Sequence, residues 1–251
     1  MPTSLASYFR GEVTKRFLLG ICVPLAAVFF VLGNVIPAAL FPGDFDWRYQ
    51  AMSYLGSPSK NPSGHLVWSL GMTLSFLLGL PLCGYFRRRL ELTNPRLAFL
   101  SSRVLLIGFL AGIIVGLETL IIPNMSEILR KGHEYLSIAV FVGLYMGVAG
   151  FWIALFRRFR RQHRRKGRGL FLIFLLPALP ITGAMLSQAW LYFDPNRPGW
   201  VSPAWEELGI PLWLSFAFWE WLTAGGLVIC LCMIAALLPA EPDPAGAGAT
   251  D

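Results

Sequence analysis

Hydrophobic positions along the 251-residue chain form six long runs that are separated by short polar stretches. Each run has at least the roughly 20 apolar residues that a helix needs to cross the hydrocarbon core of a bilayer. The pattern predicts an all-α polytopic membrane protein, with six transmembrane helices in one bundle within residues 1–240. The predicted spans lie near 17–41, 66–86, 98–122, 134–156, 169–193 and 210–238.

Composition agrees with a membrane protein and excludes an ordinary soluble domain. Hydrophobic residues make up 55% of the chain and charged residues 14%, whereas a soluble domain carries roughly 25% charged residues. The first run is longer than the apolar core of a signal peptide and lacks a small-x-small cleavage site, so we expect a retained span. The tail at 241–251 is rich in Pro, Gly and Ala and is predicted to be disordered. All four cysteines fall inside apolar runs, which does not indicate a disulfide framework.

Basic residues predict the orientation of the spans. Sixteen of the 21 Lys and Arg residues precede the first run, lie in the connections between runs two and three and between runs four and five, or, in the case of Arg103, lie just inside run three. The positive-inside rule therefore predicts that both termini are cytoplasmic. The cluster from Arg157 to Arg168 adjoins a helix end, so we expect it to contact anionic lipid headgroups and not nucleic acid.

A single carboxylate marks the last apolar run. Glu220 lies between Ile210 and Ala240, close to three tryptophans. An ionisable side chain at such a depth costs several kcal/mol unless it faces a partner or a wet cavity. Glu220 is therefore a hypothesis for a functional site, although a structural pairing with Arg48 or His133 is an open alternative.

The other predicted helices each carry one polar group at a comparable depth. Because polar groups avoid lipid, we expect them to converge on a polar pocket that opens to the non-cytoplasmic side. The catalytic candidates are Glu220, His133, Glu118, His65 and Ser53, and the substrate-binding candidates are Asn34, Arg48, Gln188, Trp213 and Trp219.

Three interpretations remain open for His65 and His133. They could bind a metal together with Glu118 or Glu220, although no metal-binding spacing supports this and no metal site is assigned. They could act as general acids or bases, each oriented by a carboxylate, with Ser53 as a nucleophile. They could also only form hydrogen bonds at the membrane interface. No cofactor is indicated.

Small residues and prolines predict how the helices pack. Gly108, Gly112 and Gly116 recur every four residues in the third run and form one smooth stripe. Such a stripe lets helix backbones approach closely, and we expect this contact to lie inside the bundle. Pro177 and Pro180 predict that the fifth helix is bent.

One sequence motif resembles a known family. Residues Met52-Ser53-Tyr54-Leu55-Gly56, followed by Asn61-Pro62 and a new span, are similar to the prokaryotic six-span family catalogued as domain of unknown function nine-nine-eight, and His133 at the start of the fourth span also fits. Glu220-Trp221 more distantly resembles the last helix of the DRAM and FGF-receptor-activating membrane proteins, some of which act in GPI-lipid remodelling. The resemblance implies a six-helix fold and lipid chemistry, and it assigns no catalytic residues.

These observations predict an integral membrane enzyme of a prokaryotic plasma membrane that acts on a lipid or a lipid-linked substrate. The alternative is a non-catalytic lipid-binding or carrier protein in which Glu220 is a protonation site. Membrane lipids are the expected partners, and no oligomeric state is indicated. An apolar pocket without convergent donors would favour the non-catalytic alternative.

Overall fold

The computed structural model describes residues 4–121, 127–162, 179–186, 189 and 211–240. These residues form helices and connecting turns and contain no strand. The helices are α1 Leu5–Phe9, α2 Lys15–Ala39, α3 His65–Leu90, α4 Pro95–Ile121, α5 Glu127–Gln162, α6 at 179–186 and α7 Phe216–Leu237. A 3₁₀ turn, Met52–Tyr54, lies in the connection between α2 and α3.

Five of these helices, α2, α3, α4, α5 and α7, are long and apolar enough to cross a membrane. They correspond to five of the six predicted runs. The predicted fifth span, 169–193, is described only at 179–186 and 189. Pro177 lies outside the described residues, and Pro180 is the second residue of the described stretch. The predicted tail, 241–251, lies outside the described residues.

Consecutive helices α2, α3, α4 and α5 pack side by side, and α7 packs mainly against α5 with smaller contacts to α3. Glycine permits a close approach of α2 and α3. A methyl group on Gly71 would lie 2.5 Å from the Cα atom of Gly33. The two backbones therefore touch, as small residues allow in membrane helix pairs.

The predicted glycine stripe of α4 packs inside the bundle, but it does not face a single neighbour. Gly108 lies against the backbone of α5, where an added methyl group would be 2.7 Å from the nearest atom. Gly112 lies against Phe76 and Gly116 against Thr73, and both of these residues belong to α3. The prediction that the stripe packs inside the bundle is confirmed. The stripe meets two neighbours because an α-helix turns by 3.6 residues and a four-residue repeat drifts around it.

The two ends of the bundle differ in charge. The loop end carries the connection at 42–64, here called the first loop, together with the starts of α3, α5 and α7. The arginine-rich end carries the connection between α3 and α4 and the ends of α5 and α7, and it includes Arg87, Arg88, Arg89, Arg96, Arg157, Arg158 and Arg160.

Candidate functional site

Glu220 lies in the second turn of α7 and holds the first loop. Its Oε2 atom accepts a hydrogen bond of 2.9 Å from the main-chain N–H of Met52. Met52 is the first residue of the 3₁₀ turn, and an N–H group at such a position has no acceptor within its own turn. The carboxylate therefore caps that turn. No described residue forms an ion pair with Glu220, so the alternative pairing with Arg48 or His133 is not found.

Two more side chains at the start of α7 bind the main chain of the first loop. Ser215 caps α7 and its hydroxyl also donates to the carbonyl of Arg48. The indole Nε1 of Trp221 donates to the carbonyl of Gln50 at 3.2 Å. Together with Glu220, these bonds fix residues 48–52 against α7.

Asn61 fixes the other side of the first loop, and the sequence interpretation missed its role. The side chain is fully buried, its Nδ2 donates to the carbonyls of Pro37 and Leu55, and its Oδ1 accepts from the N–H of Gly64. One amide thus joins the end of α2, the loop and the start of α3. The signal was present in the sequence, because an Asn-Pro pair just before a helix favours this type of local bonding.

An elongated cavity of about 120 Å³ lies between the five long helices and under the 3₁₀ turn. On α7 its wall runs from Glu220 to Cys232, and on α3 from Trp68 to Leu82. With a rise of 1.5 Å per residue, these stretches correspond to about 18 Å and about 21 Å. The cavity is therefore long and narrow and runs along the bundle axis.

Polar groups of the cavity wall are concentrated at the loop end. Glu220, Ser53 and Ser137 line it there, and neither serine hydroxyl bonds to another described residue. Farther along, the wall is apolar except for Cys232 and Ser75, and the Ser75 hydroxyl is already bonded to the carbonyl of Ala26 at 2.9 Å. The cavity thus has a polar end beside the first loop and an apolar body.

A second pair of candidates meets outside this wall. His133 on α5 and Glu118 on α4 are joined by an Nδ1–Oε2 contact of 3.1 Å. The side chain of Glu118 is 8% exposed and that of His133 is 18% exposed. His133 lies one turn before Ser137 on the same face of α5, so the pair sits one turn nearer the loop end than the cavity wall.

The remaining candidates do not reach the cavity. The His65 ring bonds to the carbonyls of Asn61 and Pro62, as in the interpretation that it only fixes the interface. Asn34 donates to the carbonyl of Phe30 within its own helix and contacts the sulfur of Met72. The expected convergence of polar groups on one pocket is therefore wrong for these two residues. His65 bonds to carbonyls just before its own helix, and the Asn34 amide nitrogen bonds within its own helix, whereas the Asn34 Oδ1 atom is buried without a partner among the described residues.

Arg48 forms a bidentate ion pair with Asp46, with contacts of 2.8 Å and 3.1 Å, and it does not reach Glu220. The bonds from Arg48 hold the pKa of Asp46 below its ordinary value, an effect that outweighs the opposing effect of partial burial. Trp219 donates to the carbonyl of Trp213 at 2.7 Å, and neither indole lines the cavity. Gln188 lies outside the described residues.

The described residues contain no group of three His, Cys, Asp or Glu side chains that could hold a metal ion. The metal interpretation required both histidines with one carboxylate, but the structure brings only His133 and Glu118 together. It also gives Ser53 no hydrogen bond to either histidine, so a serine nucleophile would lack its base.

No family model, curated protein or solved structure matches the chain. The proposed family resemblance therefore stays a prediction. Several of the residues that suggested it have a structural role instead: Leu55 is fully buried and bonded to Asn61, and Gly56 lies flat against the ring of Trp68. A methyl group at Gly56 would be 2.1 Å from that ring.

Proposed function

We propose that the protein is an integral membrane protein that binds an amphipathic lipid or lipid-linked compound in its central cavity. The polar end of the ligand would lie at Glu220, Ser53 and Ser137, and its apolar chain would run toward Leu231. The observation that supports this most directly is the separation of polar and apolar lining along one cavity. Ligand pockets are typically apolar with a few placed polar groups.

The length of the cavity fits an apolar chain. The wall extends about 18 Å along α7, which is a little more than half of the roughly 30 Å thick hydrocarbon core. A chain that enters from the loop end would thus occupy the depth of one leaflet. A small polar metabolite would leave most of this apolar wall without a matching surface.

The polar end of the cavity would select the chemistry of the headgroup. Glu220 accepts one bond from Met52 and carries a second oxygen that has no partner among the described residues. A hydroxyl or amine on the ligand would donate to that oxygen, and the hydroxyls of Ser53 and Ser137 could donate or accept. The proposal therefore favours lipids with a hydroxyl- or amine-bearing headgroup.

Two neighbouring residues of α7 provide a matched test. Val228 lines the cavity, whereas Ile229 is 57% exposed on the outer face of the bundle. Val228→Phe should fill the cavity and remove co-purified lipid, as measured by native mass spectrometry and lipid extraction. Ile229→Phe adds a ring of the same size outside the cavity and should retain the lipid. Equal lipid content in the two variants would contradict the proposal.

Glu220→Gln tests the headgroup separately, since it keeps an acceptor oxygen but removes the charge. We expect weaker retention of amine-bearing lipids, with a smaller effect on lipids that bear only hydroxyls. If Val228→Phe loses lipid but Glu220→Gln retains both classes unchanged, Glu220 does not recognise the headgroup. Only the binding of the apolar chain would then be supported.

The second candidate function is catalysis on the bound lipid. It is favoured by the contact between His133 and Glu118, in which a carboxylate orients an imidazole at Nδ1 and leaves Nε2 for proton transfer. His133 lies one turn from the cavity wall, so the headgroup of a bound lipid would be within reach after a small shift. His133→Gln should then preserve lipid binding but abolish conversion of the bound lipid. The same lipid profile before and after incubation of the wild-type protein would reject this candidate.

The membrane arrangement is part of the proposal. We propose six spans with both termini in the cytoplasm, because the basic residues gather at one end of the bundle. A cysteine introduced at Ser59 should react with an impermeant thiol reagent in intact cells, whereas one introduced at Arg160 should not. The reverse labelling would invert the orientation.

A further inference from the structure

Arg103 occupies an unusual place on the surface of α4. It lies two turns into a helix that is long and apolar enough to span a membrane, and its side chain is exposed. Its guanidinium Cζ lies 5.2 Å from the ring centre of Phe99, one turn nearer the start of the helix. This is the direction in which helical side chains point, so the charge reaches back toward the arginine-rich end. It forms no ion pair with a described residue.

A second arginine from a different helix meets the same ring. Arg87, in the last turn of α3, places its Cζ atom 5.0 Å from the centre of Phe99. Its Nε atom also lies 3.5 Å from Glu91, a carboxylate that is itself 42% exposed. Such an exposed pair contributes little energy. Two guanidinium groups are thus gathered around one ring with a single weakly held carboxylate nearby.

The arginines that follow Arg87 in sequence are already engaged elsewhere. Arg88 forms an ion pair with Glu12. Arg89 is buried and donates to the carbonyls of Pro239 and Ala240. Arg87 is therefore the member of this triplet that remains available at the outer surface between α3 and α4.

An exposed apolar stripe continues from Arg103 along α4. The next residues on that face are spaced by four and three positions, as on one side of a helix. They are Ile107, Leu110, Ile114 and Leu117, with exposed fractions of 57%, 45%, 49% and 37%. The surface formed by Arg87, Arg103 and this stripe is thus positively charged at one end and apolar along its length. It is complementary to a phospholipid with a negative headgroup.

We propose that Arg87 and Arg103 bind the phosphodiester headgroup of an anionic phospholipid, whose acyl chains lie along the α4 stripe. A guanidinium group matches phosphate oxygens in bidentate geometry. An unpaired cation on the membrane-facing side of a span is costly, and a lipid phosphate would neutralise it. This site lies on the outside of the bundle and does not depend on the central cavity.

The apolar stripe decides between a lipid phosphate and a free one. A free phosphate or a nucleic acid would use the guanidinium groups but not the four exposed apolar residues below them. Basic pockets next to helix ends bind anionic lipid headgroups in other membrane proteins. The site is therefore assigned to phosphatidylglycerol-type or cardiolipin-type lipids, which combine the anionic phosphodiester with acyl chains.

The test uses the full chain in mixed micelles that contain equal amounts of phosphatidylglycerol and phosphatidylcholine. Native mass spectrometry should show preferential retention of phosphatidylglycerol, and Arg103→Gln should reduce this retention about fivefold, the scale expected for one basic residue near an anionic surface. Arg16→Gln is the matched control, because it removes one exposed charge from the same end of the bundle, at the start of α2 and not on α3 or α4. Arg103→Lys should give an intermediate loss, since it keeps the charge but not the bidentate geometry.

Three results would overturn the proposal. The first is equal retention of the two lipids by the wild-type protein, and the second is an equal loss in Arg103→Gln and Arg16→Gln. The third is full displacement of the lipid by inorganic phosphate, which would mean that the acyl chains add nothing. If Arg103→Gln does not elute as a folded monodisperse species, Arg87→Gln replaces it, with the same fivefold expectation.

Discussion

Both ends of α7 are held by residues far away in the sequence, but α7 contributes different groups at each end. At the start, side chains of α7 and its cap bind the main chain of the first loop, through Ser215, Glu220 and Trp221. At the other end, side chains from elsewhere bind the main chain of α7 and the residues after it. Lys15 donates to Ala236 and Leu238, and Arg89 donates to Pro239 and Ala240.

The physical chemistry of helix ends explains the difference. The last carbonyls of a helix lack partners and carry a partial negative charge, so cations such as Lys15 and Arg89 stabilise that end. At the start, Ser215 already caps the helix. Glu220 is therefore not needed by α7 itself, and it can hold the first loop and line the cavity. Charges at the two ends thus have different roles: the cations complete a helix, and the carboxylate forms a site.

The largest effect is expected at the cationic end. Arg89 is only 9% exposed and bonds to two carbonyls. Arg89→Met keeps much of the volume but leaves both carbonyls without their charged donor, which should reduce the free energy of unfolding by about 3 kcal/mol. Unfolding in detergent micelles measures the loss. Arg96→Met, at an exposed arginine of the same end, should stay within about 0.5 kcal/mol. Equal effects of the two changes would mean that the cap at this end of α7 contributes nothing.

Substitution of Glu220 at the start of α7 should reduce the free energy of unfolding less than Arg89→Met does. Two variants separate the role of the acceptor oxygen from that of the charge. Glu220→Ala leaves the Met52 N–H without an acceptor and should cost about 1–3 kcal/mol. Glu220→Gln retains an acceptor oxygen and should cost less than about 1 kcal/mol. If Gln proved as destabilising as Ala, the charge itself would stabilise the first loop, and the comparison with the cationic end would fail.

The long helices and the position of Glu220 could be predicted from the sequence. The apolar runs predicted five helices that the structure contains, because length and hydropathy alone determine which segments can span a bilayer. The depth of Glu220 marked it as a site residue, and it does line the cavity. Depth along a helix, however, does not determine the direction in which a side chain points, and the His65 ring and the Asn34 amide nitrogen bond to nearby carbonyls and do not line the cavity.

The sequence could not predict the role of a side chain where that role depends on which neighbouring residue it contacts. The sequence presents Arg87, Arg88 and Arg89 as three equal charges, yet they meet Phe99, Glu12 and a pair of carbonyls after α7. Successive helical residues differ by about 100° in direction, so adjacent arginines face different neighbours. Which neighbours these are depends on the packing of the bundle, which hydropathy does not specify.

A smaller effect is expected from a single indole bond at the start of α7. Trp221→Phe removes the donor to the Gln50 carbonyl but retains an aromatic ring against Phe45, whose centre lies 6.0 Å away. We expect a loss of about 1 kcal/mol in the free energy of unfolding and faster proteolysis of the first loop. Trp219→Phe is the control, because that indole bonds to Trp213 next to its own helix and not to the first loop. Faster cleavage of the loop in the control variant would contradict the assignment.

The smallest effect concerns pH and the pair that shapes the first loop. The guanidinium of Arg48 holds the pKa of Asp46 below its ordinary value. A carboxyl whose pKa is lower in the folded state stabilises the protein above its unfolded pKa, about 3.9 for Asp, and this contribution is lost as the pH falls through the folded pKa. Because the Arg48 side chain is 54% exposed, we expect no more than about 1 kcal/mol. The stability difference between the wild-type protein and Asp46→Asn should thus be constant near neutral pH and shrink as the pH falls below about 4. A difference that grows in acid would mean that the charge on Asp46 opposes the docking of the first loop on α7.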